Sequence, residues 1–193
     1  KPHHKVDNGI TYSYSSGHNF AMMKDDLYFL RKNLRGRSGG KGRTDIQAKV
    51  GSICEAIERF NGVWRDELPT VHASRSDLGD SAVDIEQLLH YSERQYADRH
   101  RWNHSQPSSY HLVPNPLDPG VRMHWTRCWS LTNEREVLVP SAYAWFGHPD
   151  MLDHWCCPSD ANGNAAGNTV EEAALQGLME LVERDAVALW WYN

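Results

Sequence analysis

The 193-residue sequence carries 20 Lys and Arg against 25 Asp and Glu, a formal charge of −5 at pH 7, and 40% hydrophobic residues. That balance gives no reason to expect nucleic acid or an anionic membrane as partner. Apolar runs such as Ala186 to Tyr192 fall well short of the ~20 residues that span a bilayer, and no charged-then-apolar signal segment opens the chain. The expectation is a folded cytoplasmic protein.

Four cysteines, Cys54, Cys128, Cys156 and Cys157, lack CxxC spacing and read as reduced thiols. His148, His154, Cys156 and Cys157 do not match the usual zinc-ligand spacing either. Lys1 stands where a Met would open a gene product, and Trp190, Trp191, Tyr192 and Asn193 stop within an apolar helical pattern without a capping glycine. The sequence therefore reads as part of a longer protein.

In chain order, residues 1–20 form an extended lead-in rich in Ser, His and Tyr, and Met22, Leu27, Leu30 and Leu34 predict a first helix over 20–34. The segment 35–45, with Gly36, Gly39, Gly40 and Gly42 among Arg35, Arg37, Lys41 and Arg43, predicts a basic turn. Thr44 and Gln47 fit a capping box for a second helix over 45–63, with Ile46, Val50, Ile53, Ile57 and Phe60 as its apolar stripe. A mixed polar stretch follows, then an amphipathic helix over 85–96 and a loop marked by Pro107, Pro114, Pro116 and Pro119. Short apolar runs on either side of Thr132 and Glu134 predict two strands and a turn over 121–145. A long irregular loop over 146–167 leads to Thr169 and Glu172, a second capping box, and a last helix to the chain end. Several helices with a central strand pair and no βαβ rhythm make the fold class α+β.

Two helices carry the same phrase: Glu55, Glu58 and Arg59 on one, Glu180, Glu183 and Arg184 on the other. Spacings of three and four place both carboxylates and the guanidinium on one face of each helix. On the second helix that face runs back through Gln176 to Glu172, with Leu175, Leu178 and Val182 on the core-directed side. Like charges at this spacing cost a few tenths of a kcal/mol each. A hard divalent cation such as Mg²⁺, which takes oxygen ligands and bridges carboxylates to nucleotide phosphates, gives such a row a purpose. Lys41 and the glycine N–H groups around it would face the phosphates. Taken singly, either phrase also fits a solvated helix face with i,i+4 ion pairs, and Ser38 to Gly42 lacks the spacing of a Walker loop.

The segment from Gly167 to Ala186 closely resembles the hallmark of YcaO domains, and Ser52 to Arg59 resembles their earlier SxxExxER element. The glycine-lysine-glycine turn of 38–42 sits where that family has one. Tyr91 to Tyr96 and Trp129 to Thr132 resemble the azoline-forming branch. The resemblance runs from about Tyr14 onward and implies a YcaO-like mixture of helices and antiparallel strands, with 1–193 forming the N-terminal part of a single domain behind a 1–13 lead-in. It implies ATP and Mg²⁺ as cofactors. Carried over position by position, Glu55, Glu58, Glu180 and Glu183 are metal-binding carboxylates, and Lys41, Ser52, Glu55, Arg59, Asn168, Glu172 and Arg184 contact the nucleotide. No catalytic acid or base is assigned.

The activity implied is ATP-dependent cyclodehydration, forming thiazolines or oxazolines from Cys, Ser or Thr of a ribosomally made precursor peptide. The implied partners are that peptide with its leader, a leader-binding protein or domain, and a flavin dehydrogenase, with the enzyme itself a homodimer. Thioamide or amidine formation by the same ATP chemistry, and a noncatalytic peptide-binding scaffold, are the rival expectations. This chain departs from many azoline-forming relatives in reading Asn162-Gly163-Asn164 where they read Asn-Gly-Cys.

Overall fold

The glycine-rich basic segment, expected as a turn, is a strand. The computed structural model describes residues 10–18, 36–108 and 111–192. In chain order its elements are β1 (Tyr12–His18), β2 (Gly36–Gly42), α1 (Asp45–Asn61), β3 (Val71–Ser74), α2 (Ile85–Leu89), α3 (Glu93–Ser105), β4 (Arg122–Ser130), β5 (Arg135–Pro140) and α4 (Val170–Tyr192). Shorter helical turns lie at Arg75–Leu78, Ser141–Ala144 and Asp150–Asp153. The helix expected over 20–34 lies outside the described residues. Two compact units result, one combining Lys1–Gly62 with Ala161–Asn193, the other formed by Val63–Asp160.

In the first unit β1 and β2 pair antiparallel, Tyr12 opposite Gly42 and Ser15 opposite Gly39. Glycine is a weak strand former, so its use here needs a reason. The reason is α1, which lies against β2 so closely that a Cβ on Gly40 would sit 2.1 Å from the Ala48 carbonyl oxygen and 2.2 Å from the Ser52 nitrogen. Only a residue without a side chain admits that approach. It buries Ser38, Ala48 and Ser52. From β1, the Tyr14 hydroxyl donates to Asp45 Oδ1 at 2.5 Å and the Ser16 hydroxyl donates to the Ser52 carbonyl.

Both long helices of this unit open as their sequences predict, with one shift. Thr44 Oγ1 accepts the Gln47 N–H at 3.3 Å and Thr169 Oγ1 accepts the Glu172 N–H at 3.2 Å. The returning side chains reach one residue further out than a regular capping box: Gln47 Oε1 accepts the N–H of Arg43 and Glu172 Oε2 that of Asn168. The apolar stripes depart from expectation. Ile46, Val50, Ile53, Ile57 and Phe60 on α1, and Leu175, Leu178 and Val182 on α4, are 45% to 66% exposed. Periodicity identifies such a face without identifying what covers it, and no described element does so.

The second unit is built on a three-stranded antiparallel sheet in the order β3, β4, β5. The hairpin of β4 and β5 matches the predicted strand pair, with Ser130 opposite Arg135 and Glu134 taking a left-handed φ of 49° in the turn. β3 was not predicted, because its short, half-polar VHAS sequence carries no run of apolar alternation. Trp125 lies fully buried at the centre among Ala82, Ile85, Met123, Leu138, Ala142, Cys156 and Cys157. Its indole N–H donates to the Ala73 carbonyl at 2.9 Å, so the polar end of the largest core side chain is satisfied. All four cysteines are free thiols.

The single helix expected over 85–96 is two. His90 ends α2 with a left-handed φ of 57°, and Ser92 starts α3 as its cap. Ser92 Oγ accepts the Gln95 N–H at 3.3 Å and Gln95 Oε1 accepts the Ser92 N–H at 2.8 Å. This full capping box outweighs the continuous apolar pattern from which one helix was read.

Candidate nucleotide and metal site

The first glutamate of each repeated phrase is held from two sides. Glu55 Oε2 accepts the Gly39 N–H at 2.7 Å, while its other oxygen accepts Arg59 Nε and Nη2 at 3.0 and 2.8 Å. On α4, Glu180 Oε2 accepts the Gly163 N–H at 3.2 Å and Oε1 accepts Arg184 Nη2 at 3.0 Å. A backbone N–H and an i+4 guanidinium thus fix each carboxylate before any ligand arrives. The segment around Lys41, whose glycine N–H groups were expected to face phosphates, turns that of Gly39 toward a carboxylate, as the second loop does with Gly163.

The correspondence extends along both helices. Gly42 and Gly167, Thr44 and Thr169, Gln47 and Glu172, Ala48 and Ala173, Ser52 and Gly177, Glu55 and Glu180, Glu58 and Glu183, Arg59 and Arg184 stand at one constant separation in the chain. Each lead-in glycine packs on its own helix start: a Cβ at Gly42 would lie 2.9 Å from the Ala48 nitrogen, and one at Gly167 2.5 Å from the Ala173 nitrogen. The unit contains the same entry, cap and carboxylate pair twice.

The two copies meet at Glu58. Burial raises its carboxyl most, Glu180 and Glu55 raise it further, and Arg59 with the Ala166 N–H only partly offset them, leaving it at about 7. Glu55, Glu58, Glu180, Arg59 and Arg184 are therefore brought together. Arg184 is held above its ordinary value by its hydrogen bond to Glu180, with Glu183 and Glu55 adding to the field around it. Glu58, whose ionisation its two neighbours oppose, together with Glu55 and Glu180 offers hard oxygen donors that fit a divalent cation, which would relieve the repulsion at Glu58.

The remaining predicted residues lie at the margin of this group. Ser52 is buried, its hydroxyl donating to the Lys49 carbonyl at 2.9 Å. Glu183 is exposed, one turn beyond Glu180. Asn168 and Glu172 bind each other at the start of α4, the Asn168 Nδ2 reaching Glu172 Oε2 at 3.0 Å. Lys41 is exposed on β2 opposite Ser13. The N–H donors of Gly39, Gly163 and Ala166 were missed in the sequence, since a loop's composition does not say which way its N–H groups point.

A pH effect follows from Glu58. A carboxyl raised from its usual 4.5 to about 7 contributes stability that is complete below the usual value and is lost as pH rises toward 7. Without metal, Glu58→Gln is expected to melt at a higher temperature than the parent at about pH 8 and to show little difference near about pH 4. Thermal unfolding at both pH values, in chelator, checks this.

The chain belongs to the YcaO family. Residues 39–193 match the family model described as YcaO cyclodehydratase, ATP- and Mg²⁺-binding. A heterocyclase solved in complex with substrate and cofactor is 41% identical, with a TM-score of 0.86 over 98% of this chain and 25% of that one. The heterocyclase TruD is 43% identical, with a TM-score of 0.68 over 76% of this chain and 21% of its own. A YcaO protein from Methanopyrus kandleri bound with AMPPCP and Mg²⁺ shares the fold, at 23% identity and a TM-score of 0.55 over 95% of this chain and 37% of its own. A Methanothermobacter thermautotrophicus protein described as uncharacterized is 32% identical over 154 residues, 78% of this chain and 33% of that protein. The chain thus spans well under half the length of these relatives. Their mixture of helices and small antiparallel sheets agrees with the α+β expectation. No helix among the described residues is long and apolar enough to cross a membrane.

Proposed function

We propose that the full-length protein is an ATP-dependent cyclodehydratase that forms thiazoline or oxazoline rings on Cys, Ser or Thr of a ribosomally made peptide. The observation that carries this reading is the convergence on Glu58 of carboxylates from both repeated phrases, each partner already oriented by a glycine N–H and an arginine. Membership of a family described as binding ATP and Mg²⁺, and similarity above 40% identity to two heterocyclases, support it.

In this reading Glu55, Glu58, Glu180 and Glu183 hold Mg²⁺, and Arg59, Arg184, Ser52, Asn168, Glu172 and Lys41 surround the nucleotide. The peptide nucleophile adds to the preceding amide carbonyl. That addition closes the ring; the resulting oxygen takes the γ-phosphoryl group of ATP, releasing ADP, and phosphate then leaves with loss of the ring N–H proton to form the C=N bond. Bound Mg²⁺ supplies charge neutralisation on the phosphates. Arg59 and Arg184, anchored by Glu55 and Glu180, keep guanidinium charge beside the carboxylate cluster, where developing phosphoryl charge is stabilised. The glutamates act as metal holders rather than as acid and base. One YcaO-type domain reaching beyond this chain, a homodimeric cytoplasmic enzyme, a leader-binding partner and a flavin dehydrogenase belong to the same proposal.

Calorimetric titration of the full-length protein with a nonhydrolysable ATP analogue tests it. Binding that requires Mg²⁺ is the expected result, and it is expected to weaken as pH falls below about 7, where Glu58 holds a proton. No binding by a folded sample would favour a scaffold that retains only the fold.

A further inference from the structure

The second unit contains a cluster of nitrogen and oxygen donors with no part in the carboxylate site. β3 and β4 place His72 directly opposite His124, their rings 4.7 Å apart. His124 then meets Asp150, at the start of the short helix after β5: its ring Nδ1 lies 3.0 Å from Asp150 Oδ1, and its backbone N–H donates to Oδ2 at 2.6 Å. His148 stands on the other side, Nδ1 3.7 Å from Asp150 Oδ2 and its ring 5.2 Å from that of His124. The Trp64 ring packs edge-on against His148 at 4.3 Å. His148 is 2% exposed and Asp150 7%.

A carboxylate this buried is ordinarily matched by a Lys or Arg, or by a metal. The groups within ion-pair distance of Asp150, among the described residues, are two imidazoles. One donor atom from each of His124, His148 and Asp150 can be chosen so that all lie within 4.8 Å of one another. Tetrahedral zinc, with ligand bonds of about 2.0–2.2 Å, requires donors roughly 3.3 Å apart, and from the one oxygen Asp150 Oδ2 the Nδ1 atoms of His124 and His148 lie 3.3 and 3.7 Å away. His148 Nδ1 accepts the Asp150 N–H at 3.2 Å, a hydrogen bond that the metal would replace at that lone pair. Asp150 Oδ2 is itself oriented by the His124 backbone N–H, as ligating carboxylates commonly are.

We propose that His124, His148 and Asp150 form a binding site for a borderline divalent transition metal of the Zn²⁺ type, with three protein ligands and a fourth position open. The imidazole nitrogens set it apart from the all-oxygen cluster of Glu55, Glu58 and Glu180, which suits Mg²⁺. The metal ties the loop carrying His148 and Asp150 to the middle strand of the sheet.

Co²⁺ titration of the full chain, followed by visible d–d absorption, tests the assignment. The expected result is a tetrahedral or five-coordinate spectrum without thiolate charge transfer, displaced by Zn²⁺ and unaffected by excess Mg²⁺. His124→Ala, at a partly exposed position, and Asp150→Asn should each weaken Co²⁺ by more than tenfold. Glu180→Gln and His72→Ala should leave the spectrum in place. Absence of the bands in a folded sample, or their loss with Glu180→Gln and not with His124→Ala, would overturn the proposal. Neither outcome bears on the ATP analogue, whose binding is read separately.

Discussion

Glu183→Gln in the full-length protein is expected to lower ATP turnover by about 100- to 1,000-fold while leaving the unfolding midpoint unchanged, the scale seen when one preorganised electrostatic group is removed from a reaction centre. The separation of the two effects comes from geometry. Glu183 is exposed and its side chain makes no hydrogen bond or ion pair with a described residue, so a neutral isostere removes a charge without opening a packed contact. Arg184→Ala tests the same centre differently. It removes the 3.0 Å anchor on Glu180, leaving that carboxylate with the Gly163 N–H alone. Turnover assays beside thermal melts distinguish the readings: unchanged turnover in both variants would remove α4 from the metal site, and collapse of Glu183→Gln would make the residue structural.

The largest loss of stability is expected from adding one methyl group. At Gly40 a Cβ would lie 2.1 Å from the Ala48 carbonyl oxygen, and at Gly177 2.4 Å from the Gly163 carbonyl oxygen. Both obstacles are main-chain atoms, which cannot rotate away as a side chain can. Overpacking of cores commonly costs about 1–3 kcal/mol, and these contacts demand separation of a helix from a strand or loop, so each alanine variant should lose at least that. Gly39→Ala is the control, because its Cβ would meet nothing closer than Glu55 Oε2 at 3.9 Å. Denaturant melts of the three variants should rank Gly39→Ala well above the other two.

Much of this unit was legible in the sequence. The two capping residues, both helix faces and the pairing of like phrases follow from spacings of three and four, which fix direction on a helix regardless of context. The strand nature of Gly36–Gly42 was not legible, because composition favours a turn there and only contact with α1 explains a strand. Likewise the apolar stripes announced a face to be buried, while the partner for that face is a tertiary fact. The break at His90 lost out to a continuous apolar pattern, although Ser92 and Gln95 were present to signal it. His124 and Asp150 carried no local signal whatever, since strand pairing and a distant loop bring them together.

The duplicated helix entry has a practical consequence for dissecting this protein. Glu55, Glu58 and Arg59 have twins in Glu180, Glu183 and Arg184, so Glu55→Gln and Glu180→Gln are reciprocal internal controls at equal distance from equivalent caps. If a bound ligand met both copies alike, the twin variants would fail alike; a triphosphate has distinguishable ends, and the gap between twins measures how unevenly the copies share it. The first departure from equivalence is already visible. In one copy the close approach is made by a glycine on the strand, Gly40 against Ser52, and in the other by a glycine on the helix, Gly177 against Gly163. The absent side chain has changed sides, and a Ser hydroxyl remains in one half of the cradle only.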